Sequence, residues 1–243
     1  MDFFIRMASV PVDALGLITL LGAEEVNKWV GRLVPSKWME YMPLLAMYVI
    51  SGDRFRAESP SFSLYNISSG IFTTEFAAWL TRWVKCQNSE RNRVIVFWEI
   101  AKMPQKQRLL ENSTAISVSF CFTGLLLTAS VLARDFYGAA NACAIIVSIF
   151  TRACILHANR TAIDRDVSKH GPPKDLQKLI IITPDGNMIT MFIPNELIIP
   201  VITRDPSSQP GQLYNAWRWI SWIAFGIHVT TLGMATRRPD LYY

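Results

Sequence analysis

The sequence predicts a mainly α-helical, polytopic membrane protein: a transmembrane helical hairpin, a third span, and a small β-hairpin or meander carried in a soluble loop. Three observations predict it. Residues 112–133 (NSTAISVSFCFTGLLLTASVLA) carry no charge, and as a helix rising 1.5 Å per residue they match a hydrocarbon core of roughly 30 Å. After Arg134 and Asp135 a second apolar run, 136–158 (FYGAANACAIIVSIFTRACILHA), is interrupted only by Arg152. Towards the end, 217–236 (WRWISWIAFGIHVTTLGMAT) has eighteen uncharged residues from Trp219 onward, near the lower end of the spanning range.

The first two runs are joined by only two charged residues, so as spans they must be antiparallel neighbours. Of the chain's 243 residues 51% are hydrophobic, little more than in soluble proteins, but here they are concentrated in blocks. The net charge of +5 comes from scattered basic residues, several of them beside apolar runs, which reads as juxtamembrane charge rather than a nucleic-acid surface. Cys121, Cys143 and Cys154 fall inside the hairpin and Cys86 outside it; no C-x-x-C or metal-finger spacing links them, so they read as small buried hydrophobes. The amino terminus lacks a basic leader and carries Asp13 within its apolar part; an internal span is therefore expected to direct insertion.

Taken in order, residues 1–111 read as an amphipathic or interfacial helical region facing the cytosol. Within 14–34, Leu15, Ile18, Val26, Trp29, Val30 and Leu33 recur at helical spacing, and Glu24 precedes Lys28 in the favourable i,i+4 order, up to Pro35. Residues 41–52 are uncharged but only twelve, about 18 Å as a helix, which suits an interfacial or re-entrant segment. Phe72, Phe76, Trp79, Leu80 and Trp83 form an aromatic ridge at three- and four-residue steps, expected either in the headgroup region or packed against a helix of a cytosolic domain. A short apolar run, 94–100 (VIVFWEI), and a basic connector lead into the hairpin, 112–158.

In the second span, Gly138 with Ala142 and Ala140 with Ala144 make small-xxx-small pairs, expected to meet Gly124 and Thr128 of the first. Residues 159–212 return to water. There LIIIT, PDGN and MITMFI read as strand, turn and strand, and LIIPVIT (197–203) as a third strand pushed to an edge by Pro200. The third transmembrane helix occupies 213–236, with Trp217, Trp219 and Trp222 as an interfacial belt. A short tail follows, 237–243, which suggests a shortened version of a larger polytopic design.

Basic residues precede the hairpin (Arg91, Arg93, Lys102, Lys106, Arg108) and follow it (Arg160, Arg165, Lys169, Lys174, Lys178), with only Arg134 between. The positive-inside rule places the amino terminus and the 159–212 loop in the cytosol. Arg237 and Arg238 then lie outside, against the rule. Sequons at Asn66, Asn112 and Asn159 are expected to stay unmodified in this orientation.

No motif names a chemistry. The chain has no phosphate loop, no H-E-x-x-H helix and no basic-aromatic RNA pattern. Asp164, Asp166, Ser168 and His170 offer triad residue types at consecutive local positions, which read as a solvated loop. His157, His170 and His228 are far apart, and a meeting of His157 with His228 in the membrane lacks a carboxylate for a metal site. Arg152 is the charge that interrupts a span, and intramembrane charge points to function by default. It either snorkels to the cytosolic interface or lines a polar route for a solute with Asn141 and His228.

These residues imply no catalytic group, metal or cofactor. The partners are the lipid bilayer, with other membrane proteins or a second copy of the chain beside it, and no nucleic acid. The reading is a non-catalytic, membrane-anchored interaction or scaffold protein, with a subunit of an oligomeric transporter or channel as the alternative and a membrane-embedded enzyme as a third. The run TPDGNMITMFIP, a further extended segment, and LYNAWRWISWIAFGIHVTTLGMAT resemble a pattern in uncharacterised multi-pass membrane proteins of filamentous fungi. The resemblance covers about 179–236, implies location and source, and transfers no site residue.

Overall fold

The structure, a computed structural model, describes residues 33, 40–41, 62–87, 93–98, 105–169, 175–203 and 211–235. The amphipathic helix expected at 14–34 and the interfacial or re-entrant segment expected at 41–52 lie almost wholly outside these residues.

Two long helices form the hairpin, α2 (Gln105–Leu132) and α3 (Phe136–Ser168). The turn between them is closed by local chemistry. Asp135 donates its backbone N–H to Ser130 O at 2.8 Å, and its carboxylate caps α3 by accepting from Tyr137 N at 3.1 Å. Arg134 takes a positive φ of 53° to make the reversal. Gly138 completes it, because a Cβ there would lie 2.7 Å from both Ser130 Oγ and Asp135 Oδ2. Gly124 has nothing within 4 Å of a Cβ position and Thr128 is exposed, its hydroxyl turned back to Gly124 O. The expected small-residue contact of Gly124 and Thr128 with α3 is therefore corrected: the buried small positions of α2 are Ala115, Ser119 and Thr123 instead. The last helix, α4 (Gln212–Ala235), packs along α3 more extensively than α2 does.

The β-hairpin expected in the loop is present as β4 (Leu176–Ile182) and β5 (Met188–Pro194). Thr183 N donates to Asn187 O at 3.0 Å and Gly186 N to Thr183 O at 3.0 Å, with Gly186 at a φ of 79°. Pro184, Asp185 and Gly186 thus make a three-residue reversal whose left-handed position requires glycine.

The hairpin does not stand alone. It joins strands from before the helical hairpin, β1 (Ser63–Asn66), β2 (Ile71–Thr73) and β3 (Arg93–Phe97), in one five-stranded sheet of order β2-β1-β4-β5-β3. All pairings are antiparallel except β3 with β5, which is parallel. A wholly helical region before residue 112 is therefore corrected. The ridge predicted from Phe72 to Trp83 is split between β2 and a shorter helix, α1 (Ala78–Cys86), and the apolar run at 94–100 begins as β3.

Register sets which face is covered. Leu64, Ile181, Ile189 and Val94 form one cross-strand row, and Leu179, Met191 and Val96 the next. These rows point to the core, because alternate strand residues share a face. Trp79, Leu80 and Val84 of α1 cover them, together with Ile155 and Leu156 of α3 and Tyr214 of α4. Trp79 Nε1 donates to Val201 O at 3.0 Å, satisfying its one polar atom in this core.

LIIPVIT is not a strand. One helical turn (Asn195–Leu197) continues into a π-helical segment, Ile198–Thr203, and Leu197, Ile198, Val201 and Ile202 are buried while Ile199 is exposed. Burial at i, i+1, i+4 and i+5 is a helical period, not the alternation of a strand. Pro200 has no N–H to donate to a ladder, which weakens an extended alternative within this segment.

Candidate functional site

α3 has 33 residues, about 50 Å of helix, and serves two environments. Its later part, with Ile155 and Leu156 at 0% exposure, belongs to the sheet's core. Its earlier part pairs with α2 and α4, where large apolar side chains face outward: Phe120, Phe122, Leu125 and Val131 on α2, Phe136 and Phe150 on α3, Trp219 and Ile223 on α4. The chain's polar groups of interest lie between these two regions and within the helical one.

At the junction, Arg152 is 2% exposed and its Nε donates to Glu40 O at 2.8 Å. Two turns further along, Arg160 holds the Glu40 carboxylate with both terminal nitrogens, Nη1 to Oε2 at 3.0 Å, and its Nε donates to Leu33 O at 2.9 Å. Glu40 is itself buried, so the forked guanidinium both pairs its charge and fixes its position. α3 therefore grips the chain at residues 33 and 40 through two arginines.

Inside the bundle, α4 runs antiparallel to α3 and three contacts tie them. Ser221 Oγ donates to Thr151 Oγ1 at 2.9 Å, the rings of Phe150 and Trp217 meet edge to face at 5.4 Å, and His228 Nδ1 meets Asn141 Oδ1. A neutral imidazole that donates from Nδ1 to the Asn141 amide oxygen keeps Nε2 as its acceptor atom. His228 is 5% exposed, and its Nε2 has no hydrogen-bond partner among the described residues. Ser148 Oγ, two turns from Asn141 on α3, is also buried without one.

Of the three polar residues singled out in the sequence, the structure brings Asn141 and His228 together and sends Arg152 elsewhere. Eleven residues separate Asn141 from Arg152, about 16 Å along the helix. His157 is exposed and about 24 Å along α3 from Asn141, so it does not meet His228. Asp166 pairs with Lys169 at 2.9 Å and Ser168 Oγ bonds Arg165 O, both on the exposed end of α3, and His170 lies outside the described residues. Among the described residues no three His, Cys, Asp or Glu side chains stand close enough to hold a metal.

Sequence reasoning missed Glu40, Arg160, Thr151 and Ser221. Arg160 was read as a flanking charge, and nothing local marks it as the partner of a glutamate 120 positions earlier. Two sequons are also structural. Asn66 accepts from Ser68 N and Ser69 N and donates to Gln177 Oε1 at 2.8 Å, and Asn159 is 5% exposed. No family model, curated protein or solved structure matches the chain, so geometry carries the functional reading.

Proposed function

We propose that the chain is a polytopic integral membrane protein in which α2, α3 and α4 span the bilayer and hold the sheet in the cytosol as a non-catalytic interaction or scaffold surface. The observation that supports it is the apolar belt on α2. Its window Ser113–Leu132 has a mean hydropathy of 2.0 and is only 17% buried. Hydrocarbon surface left on that scale is costly in water and costs nothing among acyl tails. The core helix of a soluble protein would be covered. In α3, Phe136–Ser168, the buried share rises to 44%, in keeping with its second role under the sheet. α4 extends the belt through Trp219 and Ile223, at 70% and 62% exposure, and its 24 residues reach about 36 Å. The resemblance to fungal multi-pass proteins fits this reading and supports a fungal source.

Alkaline carbonate extraction tests insertion: the protein is expected in the membrane pellet, and recovery in the supernatant overturns the proposal. Orientation is tested at the exposed turn 184–186, where an engineered sequon is expected to remain unglycosylated and an added protease site to be cut from the cytosolic side. A glycan there overturns the orientation.

A second reading, a subunit of an oligomeric transporter or channel, is favoured by one observation, the buried His228 Nε2 lone pair on an imidazole held by Asn141. Such a group can accept a proton or a hydrogen bond inside a bundle. If it does, His228→Leu abolishes solute or proton flux in reconstituted vesicles without loss of insertion; unchanged flux removes this reading.

A further inference from the structure

Between α2 and α3 lies a cavity of about 160 Å³. Its walls are Ile116 and Phe120 on one helix and Ile146, Phe150 and Ala153 on the other, and Tyr41 closes one side. The lining positions span 116–123 and 146–153, matching stretches of about 10 Å on antiparallel helices. The slot therefore runs along the helix axes. Phe120 and Phe150, each 58% exposed, stand on the outward-facing apolar belt.

Two polar side chains face this slot from α2, and they differ. Thr123 is satisfied, its Oγ1 donating to Ser119 O at 2.6 Å. Ser119 is 5% exposed and its hydroxyl has no hydrogen-bond partner among the described residues. A buried polar group without a partner is costly enough to need an explanation. Water is a poor one, because a buried water needs two to four polar partners and these walls are almost wholly apolar. A helix of another protein, about 10 Å across, is too wide for the slot.

We propose that this crevice takes, from the side, the segment of a membrane glycerolipid's acyl chain next to its ester, with the ester carbonyl accepting a hydrogen bond from Ser119 Oγ. The inference rests on the membrane reading. The chemistry agrees at both ends. The slot lies parallel to the lipid tails around it and is walled by groups that a tail would keep from water or void. Ser119 sits in the first third of the window Ser113–Leu132, towards the end where Tyr41, Glu40 and Arg160 gather, as a carbonyl near the headgroup requires.

The test uses the full chain in phosphatidylcholine vesicles doped with phosphatidylcholine that carries a diazirine on one acyl chain. After photolysis, adducts are mapped by mass spectrometry. Residues of 116–123 and 146–153 are expected to be labelled above the outward-facing Leu125 and Val131. Ala153→Trp, which fills the slot, is expected to lower crevice labelling by about tenfold, equivalent to about 1.4 kcal/mol, and to leave Leu125 and Val131 unchanged. Ile146→Phe is a milder filling variant that reads the same effect should the tryptophan disturb folding. Ser119→Ala is expected to lower crevice labelling less than either.

Labelling of Leu125 and Val131 without enrichment in the crevice, or enrichment that neither filling variant changes, overturns the acyl-chain site while leaving the membrane reading intact. Absence of labelling at Leu125 and Val131 overturns the membrane reading itself. An unlabelled crevice with disulfide cross-linking between copies through Phe120→Cys assigns the slot to a second copy of the chain and overturns the lipid.

Discussion

His228 on α4 meets Asn141 on α3, ring nitrogen to amide oxygen, in the part of the bundle where both helices turn large apolar side chains outward. Interhelical polar bonds in lipid average about 0.6 kcal/mol and reach about 1.7. The coupling between the two residues in a double-mutant cycle of Asn141→Leu and His228→Leu is expected near 1 kcal/mol, from reversible unfolding in detergent micelles. Additive losses would mean that the two side chains do not depend on each other.

Glu40 is held by Arg160, and here the loss is asymmetric. Arg160→Met leaves a buried carboxylate without its fork and is expected to destabilise by about 2 to 4 kcal/mol, whereas Glu40→Gln combined with Arg160→Met costs less than Arg160→Met alone. Arg160→Lys does not restore the wild-type value, because a single ammonium cannot grip both oxygens and Leu33 O together. Denaturant midpoints at constant m-value measure the three variants against wild type. Full recovery by lysine would show that only charge matters.

The two glycines of the hairpin are expected to respond with opposite sign. Gly124→Ala meets open space and removes a poor helix former, so it stabilises by up to about 1 kcal/mol. Gly138→Ala pushes on Ser130 Oγ and on the carboxylate that caps α3, and is expected to cost about 1 kcal/mol. Thermal unfolding of the two variants side by side decides it. Destabilisation by Gly124→Ala would restore a close α2–α3 contact at that depth.

Ile202→Ala removes a fully buried side chain from the core and is expected to cost about 2 to 5 kcal/mol, while Ile199→Ala stays within about 0.5 kcal/mol. A strand at 197–203 would pair Ile199 with Leu197 and Val201 on one face. A large loss at Ile199 therefore argues for the strand against the helical turn.

What local sequence could settle, it settled through length, period and turn chemistry. An uncharged run of spanning length marks most of α2, and an apolar run broken only by Arg152 marks the first two thirds of α3. Pro184, Asp185 and Gly186 between β-branched runs define the β4–β5 reversal, since only glycine accepts that φ cheaply. In LIIPVIT a helical period and a β-branched composition compete, and Pro200, which lacks a ladder donor, is the residue that speaks against a central strand.

Tertiary structure alone decided the rest, because each remaining feature depends on groups distant in the chain. β3 pairs with β5 across the whole helical hairpin, and hydrogen-bonded register is set by the partner strand, not by the strand's own residues. Arg152 and Arg160 look alike from sequence, as basic residues towards the end of a span, until Glu40 is placed between them. Asn141 announces a need for a polar partner, as an amide on an apolar helix does, but only the antiparallel packing of α4 on α3 selects His228 to answer it.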